Sequence, residues 1–329
     1  MRARRAILWA LVLAALAGGW AAYQVARPYR GFEGAVFVEF PRGTGTGAIA
    51  DLLVNAGVVR GRWEFLLVRL IERGRVLKAG EYRFDRPASP LEIYSRIARG
   101  DIFYYELVVP EGRNLFDIAA AIEHLGLFKS GAFLAAARDP ALIRDLDPRA
   151  PTLEGYLFPD TYRLSRHTTP ERLCRIMTGR FREAWRNLHA AADVHATVTL
   201  ASLVEKEGKL AEERPLIAAV FENRLRIGMK LDCDPTTIYA AQLDDRYRGT
   251  IYRSDLDSGN PYNTYRHAGL PPGPIANPGL ASIRAVLHPA DTGALYFVAR
   301  PDGSGGHTFS SNIAAHEAAT ARYRRGRRP

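Results

Sequence analysis

The chain reads as an α+β protein in three parts: an N-terminal transmembrane helix, a small α+β module, and a mixed α/β domain with long irregular loops. Three observations predict this. An apolar run without a single charge occupies Ala6 to Ala26, β-rich runs and helical stripes are interleaved from Val36 to Arg99, and turn residues crowd the stretch from Asp234 to Gly279. With 329 residues, 47% hydrophobic and 24% charged, the sequence can bury ordinary cores and is too apolar for a disordered chain. The net charge of +10 is mostly arginine, scattered except for the tail Arg322 to Arg328. That tail reads as a solvated or membrane-surface end, and no nucleic-acid partner is expected.

At ~1.5 Å per residue, a helix over residues 6–26 is long enough for a hydrocarbon core of about 30 Å. Arg2, Arg4 and Arg5 outweigh Arg27 and Arg30, which places residues 1–5 in the cytoplasm and the rest outside it. Ala15-Leu16-Ala17 offers a cleavage-like site, so a removable signal peptide is the rival. The anchor is preferred because the apolar run continues past that site.

A β-rich run, Val36 to Phe40, leads through a glycine-rich turn into a helical stripe at Ile49, Leu52, Leu53 and Ala56, closed by Gly57. The turn spells G-x-G-x-G rather than G-x-G-x-x-G, so a dinucleotide site is not supported. The unit recurs further on. Pro41, Gly43, Ile49 and Gly57 match Pro110, Gly112, Ile118 and Gly126 in one register, a weak internal repeat of strand, turn and helix. Between the copies lie a predicted helix from Arg62 to Arg73, a strand from Gly80 to Phe84 and a helix from Pro90 to Arg99.

A helical region from Leu115 to Leu146 is expected next, then an aromatic loop, Glu154-Gly155-Tyr156-Leu157-Phe158-Pro159-Asp160-Thr161-Tyr162, whose proline disfavours helix. Helices from Pro170 to Ala191 and from Pro215 to Arg226 flank a short one ending near Glu207. Asp234-Pro235-Thr236, Asn263-Thr264-Tyr265, Gly269-Leu270-Pro271-Pro272-Gly273 and Asn277-Pro278-Gly279 then describe a long irregular wall, of the kind that usually carries function. A helix from Ala281 to Leu287, a strand from Ala294 to Val298, a turn over residues 305–309 and a helix from Asn312 to Tyr323 complete the pattern.

Within this frame Glu207 stands out. Leu200, Leu203, Val204 and Glu207 fall at i, i+3, i+4 and i+7, on one apolar face, whereas Glu205 points off it, where a solvated glutamate would. Gly208 is placed as a C′ glycine, which puts Glu207 in the last turn beside unpaired carbonyls. Burial and that dipole both raise a carboxyl pKa, as a general acid near neutral pH requires. The pattern equally fits a buried glutamate satisfied by an arginine. Cys174 and Cys233 lack ligand-like spacing and are either free or paired; His267, His288, His307 and His316 form no H-E-x-x-H. Neither a metal site nor a cofactor is expected.

Leu-Ala-Ser-Leu-Val-Glu-Lys-Glu at 200–207, Glu-Asn-Arg-Leu at 222–225, Asp-Pro-Thr at 234–236, Tyr-Asn-Thr-Tyr at 262–265, Gly-Leu-Pro-Pro-Gly at 269–273 and Gly-Gly-His-Thr-Phe at 305–309 closely resemble the endolytic murein transglycosylases, the YceG-like or MltG family. The resemblance implies a LysM-like glycan-binding module over residues 35–105 and a catalytic domain over 106–329. It implies a lyase that cuts the β-1,4 bond between N-acetylmuramic acid and N-acetylglucosamine in nascent peptidoglycan, leaving 1,6-anhydro ends and terminating strand elongation. The second glutamate of its E-K-E motif, the catalytic one, falls on Glu207. Asp160, Thr236, Asn263, Tyr265 and His307 are the candidates for the sugar-binding wall. The implied setting is the cell inner membrane, with peptidoglycan synthases as further partners. Two rivals remain: a serine hydrolase using Ser202 and Lys206, at i, i+4 instead of the S-x-x-K spacing, and an anchored glycan-binding scaffold in which Glu207 is structural.

Overall fold

The computed structural model describes residues 2–326; Met1 and the end of the basic tail, residues 327–329, lie outside it. The first helix, α1, runs from Arg2 to Ala26 and is long and apolar enough to cross a membrane. Ile7, Leu11, Leu13 and Leu16 are all exposed, as lipid-facing side chains would be. The chain divides into two compact units, one up to Tyr104 and one from Tyr105 onward.

In the first unit, β1 (Val36–Phe40), α2 (Thr46–Asn55), α3 (Arg62–Ile71), β2 (Gly80–Phe84) and α4 (Pro90–Arg99) follow the predicted order. β1 pairs antiparallel with β2, Val38 opposite Tyr82. That pairing replaces the parallel crossover a dinucleotide fold would need. Inward residues of the ladder, Phe40, Tyr82 and Phe84, pack with Leu53, Phe65, Ile93 and Tyr94 in one buried cluster. Local signals fix α4: Ser89 accepts the Glu92 N–H as N-cap, Pro90 opens the first turn and Gly100 closes it at φ 81°. In α2 the stripe is thinner than its spacing implied, because Leu52 is exposed.

The second unit opens on the repeat. β3 (Tyr105–Val109) and α5 (Leu115–His124) reproduce β1 and α2 residue for residue, and both copies turn at glycines of positive φ, Gly43 at 86° and Gly112 at 76°. Helix continuity is shorter than predicted over 115–146. Gly126, at φ 70°, ends α5, and α6 (Ser130–Ala137) and a 3-10 turn at Pro140–Leu142 follow. The aromatic loop also departs from its reading, since Asp160 opens β4 (Asp160–Leu164), which pairs antiparallel with β3. Next come α7 (Pro170–Leu188), α8 (Val194–Glu207), α9 (Arg214–Arg226), α10 (Asp234–Leu243), the short α11 (Arg253–Leu256), α12 (Leu280–Leu287), the hairpin β5 (Tyr296–Ala299) and β6 (His307–Ser310), and α13 (Ile313–Gly326).

Two turn readings are corrected here. Asp234-Pro235-Thr236 is the first turn of α10, because a proline in the first turn lacks an N–H the helix would not have used. His307-Thr308-Phe309 lies in β6, paired with Val298 and its neighbours. Between α11 and α12 the wall is irregular as expected, and buried polar bonds fix it. Asn277 accepts the Leu157 N–H at 2.9 Å and donates to Glu154 at 3.0 Å and to the Arg113 carbonyl at 2.9 Å. The core of this unit is a single cluster in which α8 contributes Val198, Leu203 and Val204.

Candidate active site

The last turn of α8 carries the site. Asp193 caps the helix start by accepting the Ala196 N–H, and Leu203 and Val204 are fully buried, so the apolar face is pinned to the core. Glu207 continues that face to the edge of a cavity of about 350 Å³, whose lining includes Cys233, Asp234, Tyr265, Arg224 and Tyr296. The helix end is not the left-handed cap that the glycine suggested. Gly208 has φ −83°, and space there is tight: an added Cβ would stand 3.0 Å from the Val204 carbonyl and 3.0 Å from Arg214 Cγ.

Loss of hydration raises the Glu207 pKa, and the nearby Asp234 charge adds to the rise. The Cys233 thiol opposes it by donating to Oε1 at 3.3 Å, as does the charge of His307. Burial and the Glu207 charge push the thiol pKa well up, so Cys233 stays a donor. Among the described residues no arginine or lysine pairs with Glu207. The arginine-satisfied glutamate exists, but it is Glu205. Its side chain is 6% exposed, accepts from Arg214 at 3.1 Å and takes the Gly279 N–H at 2.9 Å. The expectation of a solvated Glu205 is therefore wrong: that face of α8 is covered by α9 and by the irregular wall, not by water.

The other candidates separate into two groups. Tyr265 lines the cavity and donates its hydroxyl to Asp234 Oδ1 at 2.6 Å. His307 stands edge-on to the cavity residue Phe297 while its Nδ1 lies 2.8 Å from Glu213, which also binds the His307 N–H and Arg300. Thr236 and Asn263 are fully buried behind the cavity and act through it: Thr236 donates to the Cys233 carbonyl at 2.6 Å, and Asn263 accepts the Tyr265 N–H at 3.1 Å. Asp160 lies outside the lining, ion-paired with Arg180 at 2.9 Å at the start of β4. Its type and loop context had suggested the site, but its strand position directs it to α7.

Several cavity residues were not singled out from sequence. Cys233 looked like an isolated cysteine, and only the fold brings it to Glu207. Arg224 sits over the Tyr296 ring at 5.3 Å from its centre, and His316 stacks on the same ring at 5.1 Å. Arg224 was visible inside the Glu-Asn-Arg-Leu motif, whereas His316 had no local signal. Ser202 is excluded as a nucleophile by its surroundings: it is fully buried, donates to the Thr199 carbonyl at 2.7 Å and accepts the Ile275 N–H at 3.0 Å. Lys206 is turned to the Gly112 carbonyl at 3.3 Å.

The cavity thus sets aromatic walls beside a desolvated glutamate that, among the described residues, no arginine or lysine pairs, a setting able to hand over a proton. The YceG-like family model matches residues 38–322, and the chain belongs to that family. An endolytic murein transglycosylase of Bacillus subtilis (strain 168) is 32% identical over 309 residues, covering 88% of this chain and 84% of the relative. One from Streptococcus pneumoniae serotype 2 is 31% identical over 312 residues, covering 84% of this chain but 56% of the longer relative. In the 2.6 Å crystal structure of a putative YceG-like protein from Listeria monocytogenes, 98% of that chain aligns with 86% of this one, at a TM-score of 0.55 and 30% identity.

Proposed function

We propose that this lytic transglycosylase cuts peptidoglycan strands internally, at the β-1,4 bond between N-acetylmuramic acid and N-acetylglucosamine, and leaves a 1,6-anhydromuramic end. The observation that carries the reading is Glu207, desolvated at the edge of an aromatic-lined cavity and, among the described residues, hydrogen-bonded by a neutral thiol alone. Burial raises its pKa, and in its protonated form it donates to the glycosidic oxygen as the C1–O bond breaks. Now anionic, it takes the proton from the muramoyl C6 hydroxyl as that oxygen attacks C1, so acid and base are one residue. Because the nucleophile belongs to the substrate, its effective concentration exceeds that of any incoming water. The other carboxylates of the cavity are engaged, Asp234 by Tyr265 and Asp232 by Arg224 at 3.7 Å, while a hydrolase working by water attack would need a second free one.

In this reading α1 holds the enzyme at the inner membrane with Arg2, Arg4 and Arg5 on the cytoplasmic side. The first unit is a LysM-like module that grips the strand, the enzyme terminates nascent glycans, and it works beside peptidoglycan synthases. Digestion of purified peptidoglycan in water enriched in heavy oxygen tests the chemistry. Muropeptides with unlabelled 1,6-anhydro ends are expected; label at a new muramic C1 would mean hydrolysis and would refute the single-glutamate mechanism. Glycan binding without any cleavage would instead favour a scaffold.

A further inference from the structure

Helix α3 is apolar on two faces, and the first unit covers one of them fully and the other only in part. Phe65 and Val68 are fully buried in the core of that unit. On the other side Trp63, Leu66, Leu67 and Leu70 fall at i, i+3, i+4 and i+7, a second stripe whose middle, Leu66 and Leu67, leans half-buried on that core while its two ends are exposed. Trp63 is 43% exposed, Leu70 61% and Ile71 60%, and the loop beyond adds Val76 at 78%. A helix surfacing into water would carry polar groups at these positions.

Where the stripe begins says what covers it. The Trp63 ring stacks on Trp20 of α1, with ring centres 5.3 Å apart and planes 9° from parallel. Trp20 and Tyr23 stand in the last turns of α1, and Arg27 follows the helix with its guanidinium over the Tyr23 ring at 5.8 Å. Aromatic residues followed by a basic one mark the level at which a spanning helix leaves hydrocarbon for headgroups. Trp63 therefore sits at that level, and the stripe starts there. Exposed arginines flank it: Arg62 at its start, Arg73 and Arg75 past its end. Apolar residues on one face with basic residues at the margins suit a helix lying in the surface of a bilayer containing anionic lipid.

We infer that α3 is an interfacial helix, docked through Trp63, Leu70, Ile71 and the adjoining Val76 onto the lipid surface beside α1. The proposal rests on the reading of α1 as a spanning anchor. Its consequence is that the first unit is held flat against the membrane by two contacts rather than swinging from one.

The test uses the full chain in vesicles of mixed zwitterionic and anionic phospholipid, with an environment-sensitive fluorophore on single introduced cysteines. Cys174 and Cys233 are buried and so stay unlabelled. Labels at Leu70→Cys and Val76→Cys are expected to lose most of their emission to a nitroxide placed near the lipid headgroup. A label at Leu13→Cys, inside α1, should respond to a nitroxide deep in the acyl chains, and one at Asp302→Cys to neither. Quenching at Leu13→Cys with none at Leu70→Cys or Val76→Cys would overturn this proposal and leave the anchor standing. No quenching at Leu13→Cys would overturn the anchor and this proposal together. Blue-shifted but unquenched labels on α3 would mean a protein covers the stripe, which also overturns it. A Leu70→Glu, Ile71→Glu double variant should abolish quenching at Val76→Cys; full quenching there would show that the stripe is not the attachment.

Discussion

Glu154 is a buried carboxyl that the proposed chemistry does not use, and replacing it with glutamine should change the pH dependence of stability rather than the reaction. The residue is 1% exposed; one oxygen accepts the Leu115 N–H at 2.9 Å, the other accepts from Asn277, and the Tyr239 hydroxyl is bonded to it as well. Even so, burial dominates and pushes its pKa from 4.5 up to about 8. Between those two values the folded state holds a proton that the unfolded chain has already lost. Stability is thus fully present below pH 4.5 and falls as pH rises to about 8, by up to about 5 kcal/mol if the unfolded residue titrates normally. Glutamine cannot ionise, so that slope should vanish. It also has one oxygen where two are used, and its NH2 would face a donor, a cost of about 1 to 3 kcal/mol at every pH. Glu154→Gln should therefore be the less stable protein in acid and the more stable one at alkaline pH. Urea unfolding of both proteins in steps between about pH 4 and 9 reads this directly, because other groups cancel in the difference. Parallel curves for the two proteins would refute the argument and place an ionised Glu154 in the core.

Glu207→Gln should lower the rate of glycan cleavage by ~10²-fold or more with an unchanged melting temperature. Glu205→Gln should do the reverse, losing about 1 to 3 kcal/mol because Arg214, 13% exposed, keeps only the longer pair with Glu111 at 3.9 Å, while activity per folded molecule largely survives; thermal unfolding alongside turnover separates them. Cys233→Ala removes a bond that favours the Glu207 carboxylate, so the alkaline limb of the pH–rate profile should move to higher pH; a shift to lower pH would contradict the thiol's assigned role. Gly208→Ala should cost about 1 to 3 kcal/mol by forcing a Cβ against the Val204 carbonyl, and a neutral outcome in urea unfolding would mean that the α8 end can yield.

Elements whose reasons are local were legible in the sequence. β2 and α4 begin and end as read, because alternation, a serine cap, a proline and a glycine all lie within a few residues. The repeat was legible for the same reason. What failed was anything decided by a distant partner. Glu205 looks solvated on its own helix, and only Arg214 and Gly279, arriving from other elements, show that it is buried. Cys233 reaches Glu207 through the chain path between α9 and α10, which no pattern encodes. Thr236 and Asn263 were chosen by residue type in a functional loop, and their hydrogen bonds turn inward to hold Cys233 and Tyr265. Glu207 was legible because helical spacing alone sets its face.

The three ladders, β1 with β2, β3 with β4 and β5 with β6, each close within one unit, and this bears on the order in which the chain can mature. Register in the first runs from Val36 opposite Phe84 to Phe40 opposite Gly80, so its last strand is complete before Tyr105 opens the second. No strand of the early unit waits for residues delivered later. A chain made from its N-terminus can therefore settle the first ladder while the second unit is still emerging, with no strand of that ladder paired to the unfinished part. Duplicating the strand, turn and helix in this way gives each ladder a loop-closure cost of its own.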